Sequence, residues 1–172
     1  MSFFSGKNSK GFTLAELMAV VMILGILVSM AVPQYSKAVE RTRGAEAATL
    51  LRSIYDSCER FAIERGRTDS NCVAAVTDGK SVFTKLDVAV KGTYTGSNVL
   101  NTENFSYTIT YPSDFIGLRI TAKSLKGKCA GDTIIFDGKT FLGSNTSQCY
   151  GKGGLAIWGV INWNPTLSQD RF

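Results

Sequence analysis

The chain has 172 residues, a net charge of +5 and 44% apolar residues, enough for one ordinary folded domain with a helical extension. It contains no histidine, which removes the commonest general base and metal ligand and excludes a Ser/His/Asp or Cys/His catalytic site. Without residues 1–11, which carry Lys7 and Lys10 and no acid, 17 basic residues stand against 14 acidic ones, too even and too scattered for nucleic acid to be the main partner.

Residues 1–11 are polar and basic and read as a leader. From Phe12 to Val32 run 21 residues with one charge, Glu16. About 20 apolar residues suffice to cross a bilayer as a helix, and a carboxylate at the centre of such a span costs roughly 2.5–3.5 kcal/mol, less near its end. Glu16 therefore needs a partner. Pro33 follows; lacking an N–H and clashing with the preceding turn, it predicts a kink or local loosening of the helix. Gly25 and Ser29 form a small-xxx-small pair that permits close helix approach.

Beyond Pro33 the pattern turns amphipathic. Tyr35, Val39, Thr42, Ala45, Ala48, Leu51, Ile54, Cys58, Phe61 and Ala62 recur every three or four residues, predicting one buried stripe. Gly66 suits the position just past the helix end. A helix over residues 12–65 would be about 80 Å long, and its apolar half, 12–33, requires a membrane or a bundle. The amphipathic half is 34–65.

Residues 66–104 are rich in Gly, Asn, Asp, Ser and Thr and read as a connecting loop, with a short helix near 82–86. Strand signals then begin. Phe105, Tyr107, Ile109 and Tyr111 alternate with hydroxyl residues, as do Ile116, Leu118 and Ile120 with polar ones. Asp137-Gly138-Lys139 separates two apolar runs and predicts a hairpin. Leu155–Ile161 is a further strand candidate. The expected fold is α+β: a long N-terminal helix whose C-terminal half covers an antiparallel sheet of 3–4 strands, with residues 66–172 forming a globular head.

Cys58, Cys72, Cys129 and Cys149 contain no C-x-x-C pair. With an export segment present, an even number favours two disulfides. Three pairings exist; the local one, Cys58–Cys72 and Cys129–Cys149, closes two short loops, each worth ~3 kcal/mol in the chain-entropy model. There is no calcium-loop motif, and Asp69-Ser70-Asn71 and Asp132-Thr133 read as solvated loop. No metal, no cofactor and no catalytic site is expected. Lys123, Lys126 and Lys128 cluster near Cys129; a solvated strand edge is the favoured reading, with a DNA-binding patch the minor alternative.

Three readings of the N-terminus compete. A cleaved secretory signal would use Ser29-Met30-Ala31 as a small-x-small site. A plain anchor explains the length but not Glu16. A cut between Gly11 and Phe12 would create an α-amine one helical turn from Glu16, mostly positive at neutral pH, which would keep the carboxylate ionised. Across a packed bundle, such a pair sets register more than it adds stability.

Lys10-Gly11-Phe12-Thr13-Leu14-Ala15-Glu16-Leu17, followed by the apolar run and Pro33-Gln34-Tyr35, resembles the N-terminus of type IV pilins and their pseudopilin relatives. The close resemblance covers residues 7 to about 43. It implies cleavage after Gly11 by a prepilin peptidase, N-methylation of Phe12, an assembly role for Glu16 and a kink at Pro33. It further implies an inner-membrane subunit with a periplasmic head, extruded by an assembly platform and its ATPase into a homo-oligomeric helical filament outside the cell. A major pilin is the expected member, for adhesion, twitching or DNA uptake; a major pseudopilin of type II secretion is the alternative.

Overall fold

The computed structural model describes residues 11–68, 71–76, 79–111, 117–144 and Trp158. One helix, α1, runs Leu14–Glu64, and the chain divides into two compact units, up to Lys37 and from Ala38 onward.

In the first unit, every residue from Gly11 to Tyr35 is exposed. α1 is apolar all round here and presents no single buried stripe. It is the one described helix long and apolar enough to cross a membrane.

In the second unit, α1 buries Glu40, Gly44, Ala47, Leu51, Ile54, Cys58, Phe61 and Ala62. The steps of three and four are helical, and from Leu51 onward they coincide with the predicted stripe. Before Leu51 they do not. Thr42 and Ala45 face solvent and Ala48 is half-buried, because the neighbours here accept other side chains: Trp158 lies against Gly44, and buried Glu40 is paired with Arg43 at 3.1 Å. Choosing positions by apolarity alone rotated this end of the stripe. The helix closes as expected at Gly66, φ +73°. Gly66 N–H donates to the Ile63 carbonyl at 2.8 Å and Arg67 N–H to the Ala62 carbonyl at 3.0 Å, the paired bonds of a Schellman cap.

A single 3-10 turn at Val82–Thr84 follows, with Val82 and Phe83 in the core; this is the short helix expected near 82–86. Among the described residues, the sheet is an antiparallel meander of six strands in chain order, β1 Thr93–Tyr94, β2 Val99–Asn101, β3 Phe105–Thr110, β4 Arg119–Ser124, β5 Thr133–Phe136 and β6 Phe141–Ser144. The expectation of 3–4 strands is corrected. β3 and β4 are the two that alternation predicted, and β5 and β6 the two apolar runs of the expected hairpin. β1 and β2 have two and three residues, too short for a period of two to show, and they lie within the stretch read as loop.

Register places Tyr107 opposite Ala122, Ile109 opposite Ile120, and Ile120 opposite Phe136. These side chains share a core with Ala47, Leu51 and Ile54 of α1. Of the run 155–161, only Trp158 is among the described residues, and it is helical rather than extended; its ring meets Phe105 edge-on at 6.0 Å.

The β5–β6 hairpin forms where Asp-Gly predicted it. Asp137 Oδ1 accepts the N–H groups of Lys139 at 3.0 Å and Thr140 at 2.7 Å. Gly138 has φ +89° and sits directly under the Tyr55 hydroxyl, with no room for a Cβ. The turn thus needs glycine for conformation and for close approach.

Candidate functional site

The N-terminal segment begins α1 with a reciprocal cap. Thr13 precedes the first helical residue, and its carbonyl accepts Leu17 N–H at 3.2 Å. Its hydroxyl oxygen accepts Glu16 N–H at 3.2 Å. In return, Glu16 Oε2 accepts the Thr13 N–H and the Thr13 hydroxyl, both at 2.9 Å. This is a capping box, in which two otherwise unpaired helix-start donors are satisfied together. The carboxylate also sits at the helix end where partial positive charge favours it.

Sequence reasoning asked for a partner for Glu16 and missed this one. The signal was present in Thr13-Leu14-Ala15-Glu16, a Thr-x-x-Glu spacing ahead of an apolar run. The cap also explains why the helix starts at Leu14 rather than Phe12. Both Thr13 donors go to Oε2, so Oε1 accepts no hydrogen bond from any described residue. Gly11 and Phe12 precede the cap as non-helical chain. Phe12 is 85% exposed, and nothing lies within 4 Å of where a Cβ on Gly11 would be. The bond between them is therefore flanked by exposed residues on both sides.

Beyond the cap, Leu14, Leu17, Met18, Met22, Ile26 and Met30 are among the many exposed large apolar side chains. Each gains roughly 1.5–3 kcal/mol on leaving water, so the segment carries a driving force on the order of tens of kcal/mol toward lipid or other apolar helices. The Ser29 hydroxyl donates to the Ile26 carbonyl at 2.7 Å, which removes the penalty of taking it into such an environment. Pro33 lies inside α1 and is exposed. It has no N–H to offer the Ser29 carbonyl one turn back.

The remaining predicted positions fall in the second unit. Cys58 and Cys72 form a disulfide, Cα–Cα 5.3 Å, and both are fully buried. Cys129 is buried and disulfide-bonded; Cys149 lies outside the described residues. In the lysine cluster, Lys126 Nζ is 3.1 Å from Glu103, so part of its charge is already balanced. Among the described residues, no group of three or more acidic or thiol side chains converges to hold a metal.

Residues 6–32 match the family model for the prokaryotic N-terminal methylation motif. The type IV major fimbrial protein FimA of Dichelobacter nodosus (strain VCS1703A) is 30% identical over 73% of this chain and 72% of its own length. The fimbrial protein EcpC of Eikenella corrodens is 29% identical over 81% of each. The type IV major pilin protein PilA of Myxococcus xanthus (strain DK1622) is 42% identical over 39% of this chain, and the match spans only 30% of that protein. No solved structure matches the chain. With its methylation motif, its capped apolar helix and a relative aligned over most of both lengths, the chain belongs to the type IV pilin family.

Proposed function

We propose that this chain is the repeating structural subunit, the major pilin, of a type IV pilus. The observation that carries this reading is the exposed all-apolar segment of α1 led by a capped glutamate. Such a helix is stable in lipid before assembly and among copies of itself afterwards. A subunit that both waits in a membrane and packs into a filament needs both.

Processing follows from the exposed Gly11–Phe12 bond. A prepilin peptidase cuts it, leaving Phe12 as the N-terminus, and the same enzyme methylates the new amine. That amine is cationic and lies one turn from Glu16. Because Thr13 occupies Oε2, the second oxygen is left to receive the amine of the same or a neighbouring subunit, which sets axial register. Pro33 interrupts the hydrogen-bond ladder and is the place for α1 to bend or loosen during packing. An inner-membrane platform and its ATPase then move the subunit from membrane to extracellular filament, with the second unit on the periplasmic and later the outer side.

The test is the intact mass and N-terminal sequence of the protein isolated from its host. A chain starting at Phe12 with one added methyl group supports the reading. Retention of Met1, or a start at Val32, overturns it.

A further inference from the structure

One carboxylate ties the segment after the 3-10 turn to α1 through hydrogen bonds. Ser57, 2% exposed, donates its hydroxyl to Asp87 Oδ1. Asp87 N–H returns a bond to Ser57 Oγ at 3.0 Å. One turn further along α1, Arg60 Nη2 donates to Oδ1 at 2.9 Å and to Oδ2 at 2.8 Å. A buried hydroxyl and a guanidinium therefore converge on a side chain that is itself 63% exposed. Water and protons reach the carboxylate although its anchor is inside.

Asp87 stands at the end of a groove of about 1120 Å³ between α1, the stretch 87–93 and the β2–β3 turn. Its apolar floor includes Leu50, Val88 and Val90, all half-buried. The stretch preceding it is fastened independently, by the Cys58–Cys72 disulfide and by Val82 and Phe83 in the core. Beyond Asp87, Val88 and Val90 pack half-buried against the core and Gly92 lies against the Asn101 backbone; β1 follows, with both residues exposed. The clasp is thus a polar tie between α1 and a wall otherwise held by half-buried apolar packing.

We propose that Asp87 is an acid-releasable clasp, whose protonation detaches residues 87–92 from α1 and widens the groove while the rest of the fold stays closed. Neutral Asp87 keeps an acceptor for Ser57 but loses the charge that holds Arg60 on both oxygens, and charge-assisted bonds are the stronger kind. The charged groups facing the clasp are Arg60 and Glu64 on α1 and Lys85 on its own segment; the groove side adds Glu46, Lys91 and Glu103. The bonds from Ser57 and then Arg60 hold the Asp87 carboxyl below the usual carboxylate range. Its contribution is therefore fully present above about pH 4 and is lost as pH falls through that lowered value.

The experiment is hydrogen exchange on the full chain in detergent micelles, expressed as protection factors so that intrinsic pH effects cancel. Asp87→Asn at pH 7 should lower protection across 87–92 by about tenfold or more, with β3 and β4 unchanged. Arg60→Gln should do the same, and in wild type the same local loss should set in only as pH falls below the usual carboxylate range. Protection of 87–92 within about twofold of wild type in both variants overturns the proposal. So does a loss shared equally by β3 and β4, because Asp87 would then support the whole fold rather than clasp one wall.

Discussion

Gly44 of α1 and Trp158 are in contact so close that a Cβ on Gly44 would overlap the Trp158 side chain at its Cβ, Cγ and Cδ1 atoms. These are the atoms nearest the Trp158 backbone, so the ring cannot swing away without moving the chain that carries it. A helical Gly→Ala change normally stabilises by about 1 kcal/mol. Here overpacking, typically 1–3 kcal/mol, should prevail. Gly44→Ala is expected to lower stability by ~1 kcal/mol and to shift indole emission to longer wavelength, read by thermal melts and fluorescence with Trp163→Phe as background. Increased stability with unchanged emission would contradict the contact.

Glu16 has two separable duties, capping α1 and carrying charge. Glutamine also serves at this position of a capping box. Glu16→Gln should therefore leave the first turn intact and the subunit processed and membrane-located, yet filament yield should collapse, as it should in Glu16→Ala. Thr13→Ala should fray the first turn, at a loss of about 1 kcal/mol. Electron microscopy of sheared filaments beside immunoblots of the membrane fraction separates these outcomes. Normal filaments from Glu16→Gln would show that the cap, not the charge, is what assembly uses.

The disulfide between Cys58 and Cys72 closes a separation of 14 residues. Replacing both by serine should cost ~3 kcal/mol by the chain-entropy argument, with added loss because two polar groups enter a fully buried site. Urea unfolding of the double variant should show a lower midpoint. An unchanged midpoint would mean that the unfolded chain is already constrained there.

Burial, then the nearby Glu59 carboxylate, raises the Tyr55 phenol from its ordinary 10.0 to about 12. Burial, then Glu46, raises Tyr107 as well. Both phenols are neutral in the fold and ionise more easily once unfolded. Their stabilising effect is complete below about pH 10 and is lost as pH climbs through the raised values. Alkaline unfolding should therefore begin above pH 10, and Tyr55→Phe should flatten the loss. Tyrosinate absorbance followed against pH provides the check; a Tyr55 ionising near 10 would contradict the packing described.

Much was legible in the sequence because the signals were local. Twenty-one residues with a single charge imply an apolar environment whatever the head does, and period-two alternation marked β3 and β4. Asp137-Gly138 marked the hairpin and Gly66 the helix end, since each depends on backbone conformation within a few residues. The Thr13–Glu16 cap is equally local, its two residues three positions apart.

What only the tertiary structure decided is where distant surfaces meet. Which face of α1 turns inward before Leu51 depends on Trp158, more than a hundred residues away, filling the space at Gly44. The pairing of β1 and β2 depends on β3 as a template, because two or three residues cannot declare a strand alone. The Ser57–Asp87–Arg60 clasp joins residues 27 to 30 positions apart that no spacing rule connects. Short-range chemistry is written along the chain; contacts between elements exist only after folding has chosen which neighbours each side chain will have.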